Sequence, residues 1–209
     1  MKSKRFYYIK KISEVFLEFG INTLTVEMIA DKIGVTKKTL YNYFESKQEM
    51  IECFLDYITI RQRKEISALL TRGYNPIELI IQVTKSIYNK SQFYHQKLEN
   101  DITPRYQESL QNIIFKRRGE LLEFISFNLN KGVKLGYLES DLDVDLASKF
   151  FLFGIENLFL SNYRFTPLIK GEKEIDHVLY YQLKGMCTSE GLVHLRKSVN
   201  FKVKLLQHA

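Results

Sequence analysis

The sequence predicts an all-α protein, with a small N-terminal module of three helices over residues 1–48 and a larger helical domain over 49–209. Three observations carry that reading. Apolar residues recur at helical spacing along most of the chain. Proline occurs only at Pro76, Pro104 and Pro167, within long stretches rich in Leu, Ile, Lys and Glu. The periodic stretches are bounded by cap residues in front and glycines behind.

The elements follow in order. Lys4 to Phe19 places Ile9, Ile12, Phe16 and Phe19 on one helix face, with Lys10, Lys11, Glu14 and Glu18 off it, and Gly20 ends the run. Thr25 caps a second helix, with Glu27 in its first turn and a buried stripe of Val26, Ile29, Ala30 and Ile33. Gly34 closes it. Thr36 caps a short third helix to about Tyr43. Ser46-Lys47-Gln48-Glu49 is a capping box that opens a long fourth helix, to about Leu70.

Beyond Gly73, Asn75-Pro76 with Glu78 starts a stretch helical to about Asn100. Thr103-Pro104 starts another, to about Lys134. Gly136 and the cluster Asp141, Asp143 and Asp145 give a turn and a cap before an apolar helix reaching Arg164. Glu172 to Cys187 is a further helix. The tail fits a helix face through Leu192, Leu195, Val199, Val203 and Leu206. It also alternates like a strand from Val199 to Leu205, and the lack of another strand to pair with favours the helix.

Composition narrows the function classes. A formal charge of +7 and a pI near 9.2 suit a polyanionic partner. Residues 1–64 hold 12 Lys and Arg against 8 Asp and Glu, and residues 1–11 carry Lys2, Lys4, Arg5, Lys10 and Lys11 with no acid. Cys53 and Cys187 form no disulfide framework and lack metal-ligand spacing. No signal-peptide pattern follows the basic N-terminus, and the run Phe150 to Leu160 is too short to span a bilayer. A cytoplasmic protein without a membrane partner is expected. P-loop, G-x-S-x-G and H-E-x-x-H patterns are absent, and His95, His177, His194 and His208 are scattered, so no catalytic residue, metal site or cofactor is expected.

Two short helices joined by a glycine turn make a helix-turn-helix. Ala30 lets the helices cross closely, Gly34 accepts a positive φ, and Val35, Leu40 and Phe44 bury one face of the second helix. Lys37, Lys38, Thr39 and Asn42 remain on the other.

The stretch TVEMIADKIGVTKKTLYNYFESKQE, Thr25 to Glu49, resembles the DNA-binding signature of the TetR family of bacterial transcriptional regulators. Thr25, Ile29, Ala30, Gly34, Val35, Thr36, Thr39, Leu40, Tyr41, Tyr43, Phe44, Ser46 and Lys47 match it. The rest of the chain matches in layout, with Lys134 to Asp143 similar to the family's turn before its penultimate helix. The resemblance implies that Lys37 and Lys38 reach bases or phosphates in the major groove. It implies that Thr39, Tyr41 and Tyr43 contact the sugar-phosphate backbone. Asn42 could read an adenine edge. Lys47 would meet a phosphate, and Thr25 or Thr36 could add contacts at helix starts. Glu27 stands where some members carry a basic residue, and is read as a capping or salt-bridging group.

For the second domain the resemblance implies a symmetric homodimer through late helices at about 144–164 and 172–187. It also implies a small apolar or aromatic effector. Candidate pocket residues are Phe93, Phe115, Phe127, Phe153, Glu156 and Asn157. The function implied is a sequence-specific regulator, by default a repressor, released from a near-palindromic duplex operator by the effector. The rival reading is a module of the same fold that binds proteins without operator specificity.

Overall fold

The structure is a computed structural model. It describes residues 2–98, 104–160 and 172–199, with side chains described over 4–90, 118–156 and 174–199. The helices are α1 (Lys2–Phe19), α2 (Val26–Lys32), α3 (Lys37–Tyr41), α4 (Lys47–Leu70), α5 (Pro76–Leu98), α6 (Pro104–Lys134), α7 (Val144–Leu160), α8 (Glu172–Lys184) and α9 (Ser189–Ser198). The all-α fold class is borne out. The chain divides into two compact units, Met1–Glu65 with Lys90–Lys116, and Ile66–Asn89 with Arg117–Ala209.

In the first unit, α1 to α4 enclose one apolar core. Ile12, Phe16, Ile29, Leu40, Phe44, Met50, Ile51 and Phe54 are almost wholly buried in it. The core thus reaches past residue 48 into α4, where Leu55 and Ile58 also belong to it. Phe16 and Phe54 meet edge to face at 5.4 Å between ring centroids, a geometry their quadrupoles favour.

One sequence expectation fails in α1. Phe19 does not join the buried stripe; it is 41% exposed, with the Lys32 ammonium 3.4 Å from its ring centroid. Val15 and Ser13 occupy the buried face instead, and the Ser13 hydroxyl donates to the Ile9 carbonyl at 2.7 Å. A helical hydroxyl satisfied by the preceding turn can be buried at little cost.

The helix boundaries follow from backbone chemistry. Gly20, Gly34, Gly73 and Gly136 all have φ between 71° and 82°, the left-handed region that costs a side-chain-bearing residue about 1–2 kcal/mol. At Gly34 the amide donates to Asp31 and the Val35 amide to Ala30, at 3.0 and 2.9 Å. Those two bonds satisfy the last carbonyls of α2.

The second unit packs α7 and α8 with parts of α5, α6 and α9 around Ile77, Ile80, Ile125, Leu129, Phe151, Ile155, Ile175, Leu179, Leu183 and Leu195. Asn75 and Glu78 cap α5 reciprocally: the Glu78 amide donates to Asn75 Oδ1 at 3.0 Å, and the Asn75 amide to Glu78 Oε2 at 3.1 Å. Asp143 caps α7 by accepting from the Leu146 amide at 3.0 Å. The helix expected to reach Cys187 stops at Lys184. The backbone beyond it pairs elsewhere: the Glu139 amide donates to the Met186 carbonyl and the Thr188 amide to the Tyr137 carbonyl. Thr188 then caps α9, accepting from the Gly191 amide at 3.2 Å. Gly191 must be glycine for space, since a Cβ there would lie 1.8 Å from the Tyr137 carbonyl oxygen. Leu195 and Val199 are buried as the helical reading of the tail requires, while Val203, Leu205 and Leu206 lie outside the described residues, as does Arg164.

Candidate nucleic-acid interface

The interface is built on α3. Thr36 precedes it in extended conformation and its hydroxyl accepts from the Thr39 amide at 3.1 Å, while the Thr36 and Thr39 hydroxyls lie 2.9 Å apart. Leu40 is the one residue of α3 wholly buried, so it fixes the helix in the core and leaves the rest facing outward. Lys37, Lys38, Tyr41 and the following Asn42 are exposed, and Thr39 is half-buried. These are the groups the sequence singles out, brought together by a five-residue helix that the glycine turn holds against α2.

The flanking candidates take definite positions. Thr25 caps α2 by accepting from the Met28 amide at 3.2 Å. Tyr43 is half-buried and its ring packs on Tyr8 of α1 at 4.9 Å. Lys47 opens α4, beside the Ser46 cap that accepts from the Glu49 amide at 3.1 Å. The Glu49 carboxylate reaches back one residue further than a regular capping box, to the Glu45 amide, and also binds Arg5.

Two features were not specified by the motif. Arg5, read from the sequence as one of a basic run, is used inside the unit: it pairs with Glu49 and its guanidinium lies 5.4 Å from the Phe44 ring centroid. Lys4 and Lys10 stay exposed. Glu27, in the first turn of α2, forms an ion pair with Lys37 at the start of α3. The Lys37 hydrogen bond holds the Glu27 carboxyl below its ordinary value, and the same bond raises the Lys37 ammonium. Lys37 also lies 5.8 Å from the Tyr41 ring centroid. The salt-bridging reading of Glu27 was available from its charge alone; its partner needed the crossing of the two helices.

The sequence of this module matches the model of the family "Bacterial regulatory proteins, tetR family" over residues 9–53. Residues 9–53 form a DNA-binding module of the TetR type. Curated relatives agree over most of its length. It is 27% identical over 162 residues to the HTH-type transcriptional repressor KstR2 of Mycobacterium tuberculosis, covering 72% of this chain and 76% of that one. It is 26% identical over 163 residues to the HTH-type transcriptional regulator YdgC of Bacillus subtilis, covering 76% and 82%. Solved structures share the fold. A TetR/AcrR-family regulator from Thermobifida fusca superposes with a TM-score of 0.63 at 22% identity, over 88% of this chain and 98% of that one. A transcriptional regulator from Cytophaga hutchinsonii superposes with a TM-score of 0.73 at 15% identity, over 88% and 99%. These likenesses support a DNA-binding transcriptional regulator of the TetR type.

The pocket candidates fall in both units, Phe93 and Phe115 in the first and Phe127, Phe153, Glu156 and Asn157 in the second. Phe127 is 69% exposed and Phe153 62% exposed, so neither is enclosed. Glu156 is paired with Arg118 at 2.7 Å. The side chains of Phe93, Phe115 and Asn157 lie outside the described residues. Phe153 instead shares an open face of α7 with Leu146 and Phe150, at 63% and 61% exposure and helical spacings of four and three. On α8, Tyr181 is 64% exposed. Close packing between these two helices is visible at Gly154, where a Cβ would lie 1.6 Å from Gln182 Nε2. Among the described residues no group of acids, histidines or cysteines could hold a metal ion, and no helix is long and apolar enough to cross a membrane.

Proposed function

We propose that this chain is a TetR-family regulator, a homodimeric repressor that reads a near-palindromic duplex operator and is released from it by a small apolar or aromatic effector. The observation that carries the reading is α3: a capped five-residue helix anchored by buried Leu40, with Lys37, Lys38, Tyr41 and Asn42 open to a major groove. Lys37, Lys38 and Asn42 are the base-reading candidates. Thr39, Tyr41, Tyr43 and Lys47 are proposed backbone contacts, with Thr25 and Thr36 adding hydroxyl or amide contacts at helix starts. The relative KstR2 of Mycobacterium tuberculosis is itself a transcriptional repressor.

The dimer reading is supported by the exposed Leu146, Phe150 and Phe153 face of α7 and by Tyr181 of α8, apolar surface of the kind a partner covers. A C2 dimer would set two α3 helices one helical turn of DNA apart. The effector is assigned to the second unit, with Glu156 and Arg118 as its polar pair there. Its differential affinity for two conformations would set how far operator occupancy falls.

Selection of bound sequences from random duplex DNA at about 0.15 M salt, a strength at which phosphate contacts alone bind weakly, tests the operator. A near-palindrome with half-sites about 10 bp apart is expected. A pool that stays random with folded protein would contradict the reading and favour a protein-binding role. Sedimentation of wild type and a Phe150→Glu/Phe153→Glu variant tests the dimer, with a shift to monomer expected and unchanged mass contradicting the assigned face.

A further inference from the structure

Lys37 and Lys38 are consecutive exposed lysines at the start of one helix, yet their surroundings differ. Lys37 is bound by Glu27 and lies beside the Tyr41 ring. Lys38 has no ion-pair partner among the described residues. Both members of the Glu27–Lys37 pair are about half exposed, with 59% of the Glu27 side chain and 48% of the Lys37 side chain open. A pair so exposed contributes little to folding, so stability is a poor reason for it. Its electrostatic consequence is larger. An acid on a phosphate-facing surface opposes binding unless a cation neutralises it, and here that cation comes from the recognition helix. Glu27 is itself well seated, since the first turn of a helix favours an anion.

We propose, on the footing that α3 meets DNA, that Glu27 is a positioning residue that determines specificity. It removes Lys37 from phosphate neutralisation and holds its ammonium as a fixed donor aimed at a base edge. A free lysine is a flexible point charge that settles on the nearest phosphate of any sequence. A lysine tethered at its tip has fewer positions to adopt, and a guanine edge, with acceptors at O6 and N7, can take one of its remaining protons. Lys38 remains an ordinary phosphate cation. The two adjacent lysines would then do separate work, one reading and one attracting.

The test is the salt dependence of binding to a fluorescein-labelled 30-bp duplex of random sequence, followed by anisotropy, for wild type, Glu27→Gln, Lys37→Ala, Glu27→Gln/Lys37→Ala and Lys38→Ala, each checked for helicity. Each phosphate contact contributes about 0.9 to the slope of log affinity against log salt. Glu27→Gln is expected to steepen the slope by about 0.9 per bound protomer, tightening random-duplex binding about eightfold at 0.1 M relative to 1 M. Lys37→Ala leaves the slope unchanged when Glu27 is present and cancels the steepening in the Glu27→Gln background. Lys38→Ala flattens the slope in wild type. In pools selected from random DNA, Glu27→Gln relaxes the preference at one base pair of each half-site. The proposal is overturned if Lys37→Ala flattens the slope as Lys38→Ala does, or if Glu27→Gln leaves slope and selected bases unchanged. If neither lysine substitution alters binding, it is the placement of α3 on DNA that fails.

Discussion

The helix-turn-helix and the second unit hold themselves together by different means. Around α2 and α3 the controlling interactions are local: Thr25 with Met28, Thr36 with Thr39, Gly34 with Asp31. In the second unit they join distant parts of the chain. Lys85 on α5 meets Asp176 on α8 at 2.9 Å, the aspartate side chain only 3% exposed and the lysine 17%. Asn75 Nδ2 lies 3.0 Å from His194 Nδ1 across 119 residues, and the His194 ring packs on Tyr137 at 4.5 Å. The caps and turn that shape α2 and α3 act within one turn of themselves, whereas the second unit adds buried polar contacts between distant parts of the chain.

The largest expected effect probes the distant kind of contact. Asp176→Leu alone leaves a largely buried ammonium without its partner and should cost about 3–5 kcal/mol in urea unfolding. Lys85→Met/Asp176→Leu should recover most of that loss. Equal losses for the single and double variants would show that the pair does not act as a unit.

Leu40→Ala probes the anchor of α3. It empties a wholly buried position and should cost about 2–5 kcal/mol, lowering DNA affinity through loss of the folded module. A stable variant with normal DNA binding would remove Leu40 from that role. Smaller again is Thr36→Ala, which loses the cap of α3 and should cost about 1 kcal/mol, read as a lower urea midpoint at unchanged slope. Thr36→Ser should restore it, and failure to do so would point to the methyl group rather than the hydroxyl.

The smallest effect is chemical. Burial pushes the Cys187 thiol up to about 12, with Glu139 adding to it, and burial also raises Cys53. A raised thiol pKa keeps the neutral, unreactive form to higher pH. At pH 8 both should be alkylated slowly in the folded protein and rapidly in urea, with Cys187 the slower. The stability that burial of the neutral Cys187 thiol contributes is present below the ordinary thiol pKa and falls as pH rises from there towards 12. Folded-state labelling of Cys187 as fast as in urea would contradict its burial.

The same contrast explains what was legible in the sequence. The starts of α2, α3, α4, α5 and α7 were readable because Thr25, Thr36, Ser46, Asn75 and Asp143 act within one turn of themselves. The glycine stops were readable because a positive φ is a local demand. Phe19 was misassigned because periodicity cannot see that Lys32, from another helix, covers its ring. The end of α8 was overrun because its stop is imposed by backbone pairing with residues near 138. The start of α9 has a local signal of the same kind in Thr188. The outward placement of Lys37, Lys38, Tyr41 and Asn42 was legible from the motif, but the Glu27–Lys37 pair was not, since it depends on how two helices cross. Phe127 and Phe153 show the limit most plainly, because spacing alone does not separate an enclosed aromatic from an exposed one.

The central claim, that α3 reads DNA sequence, is tested most directly by repeating the random-duplex selection with a folded Lys37→Ala/Lys38→Ala variant beside wild type. The account predicts that wild type enriches a near-palindrome and that the variant loses or alters the preference at equivalent positions in both half-sites. Enrichment of the same sequence to the same degree by the variant would contradict it and move the reading surface away from the start of α3.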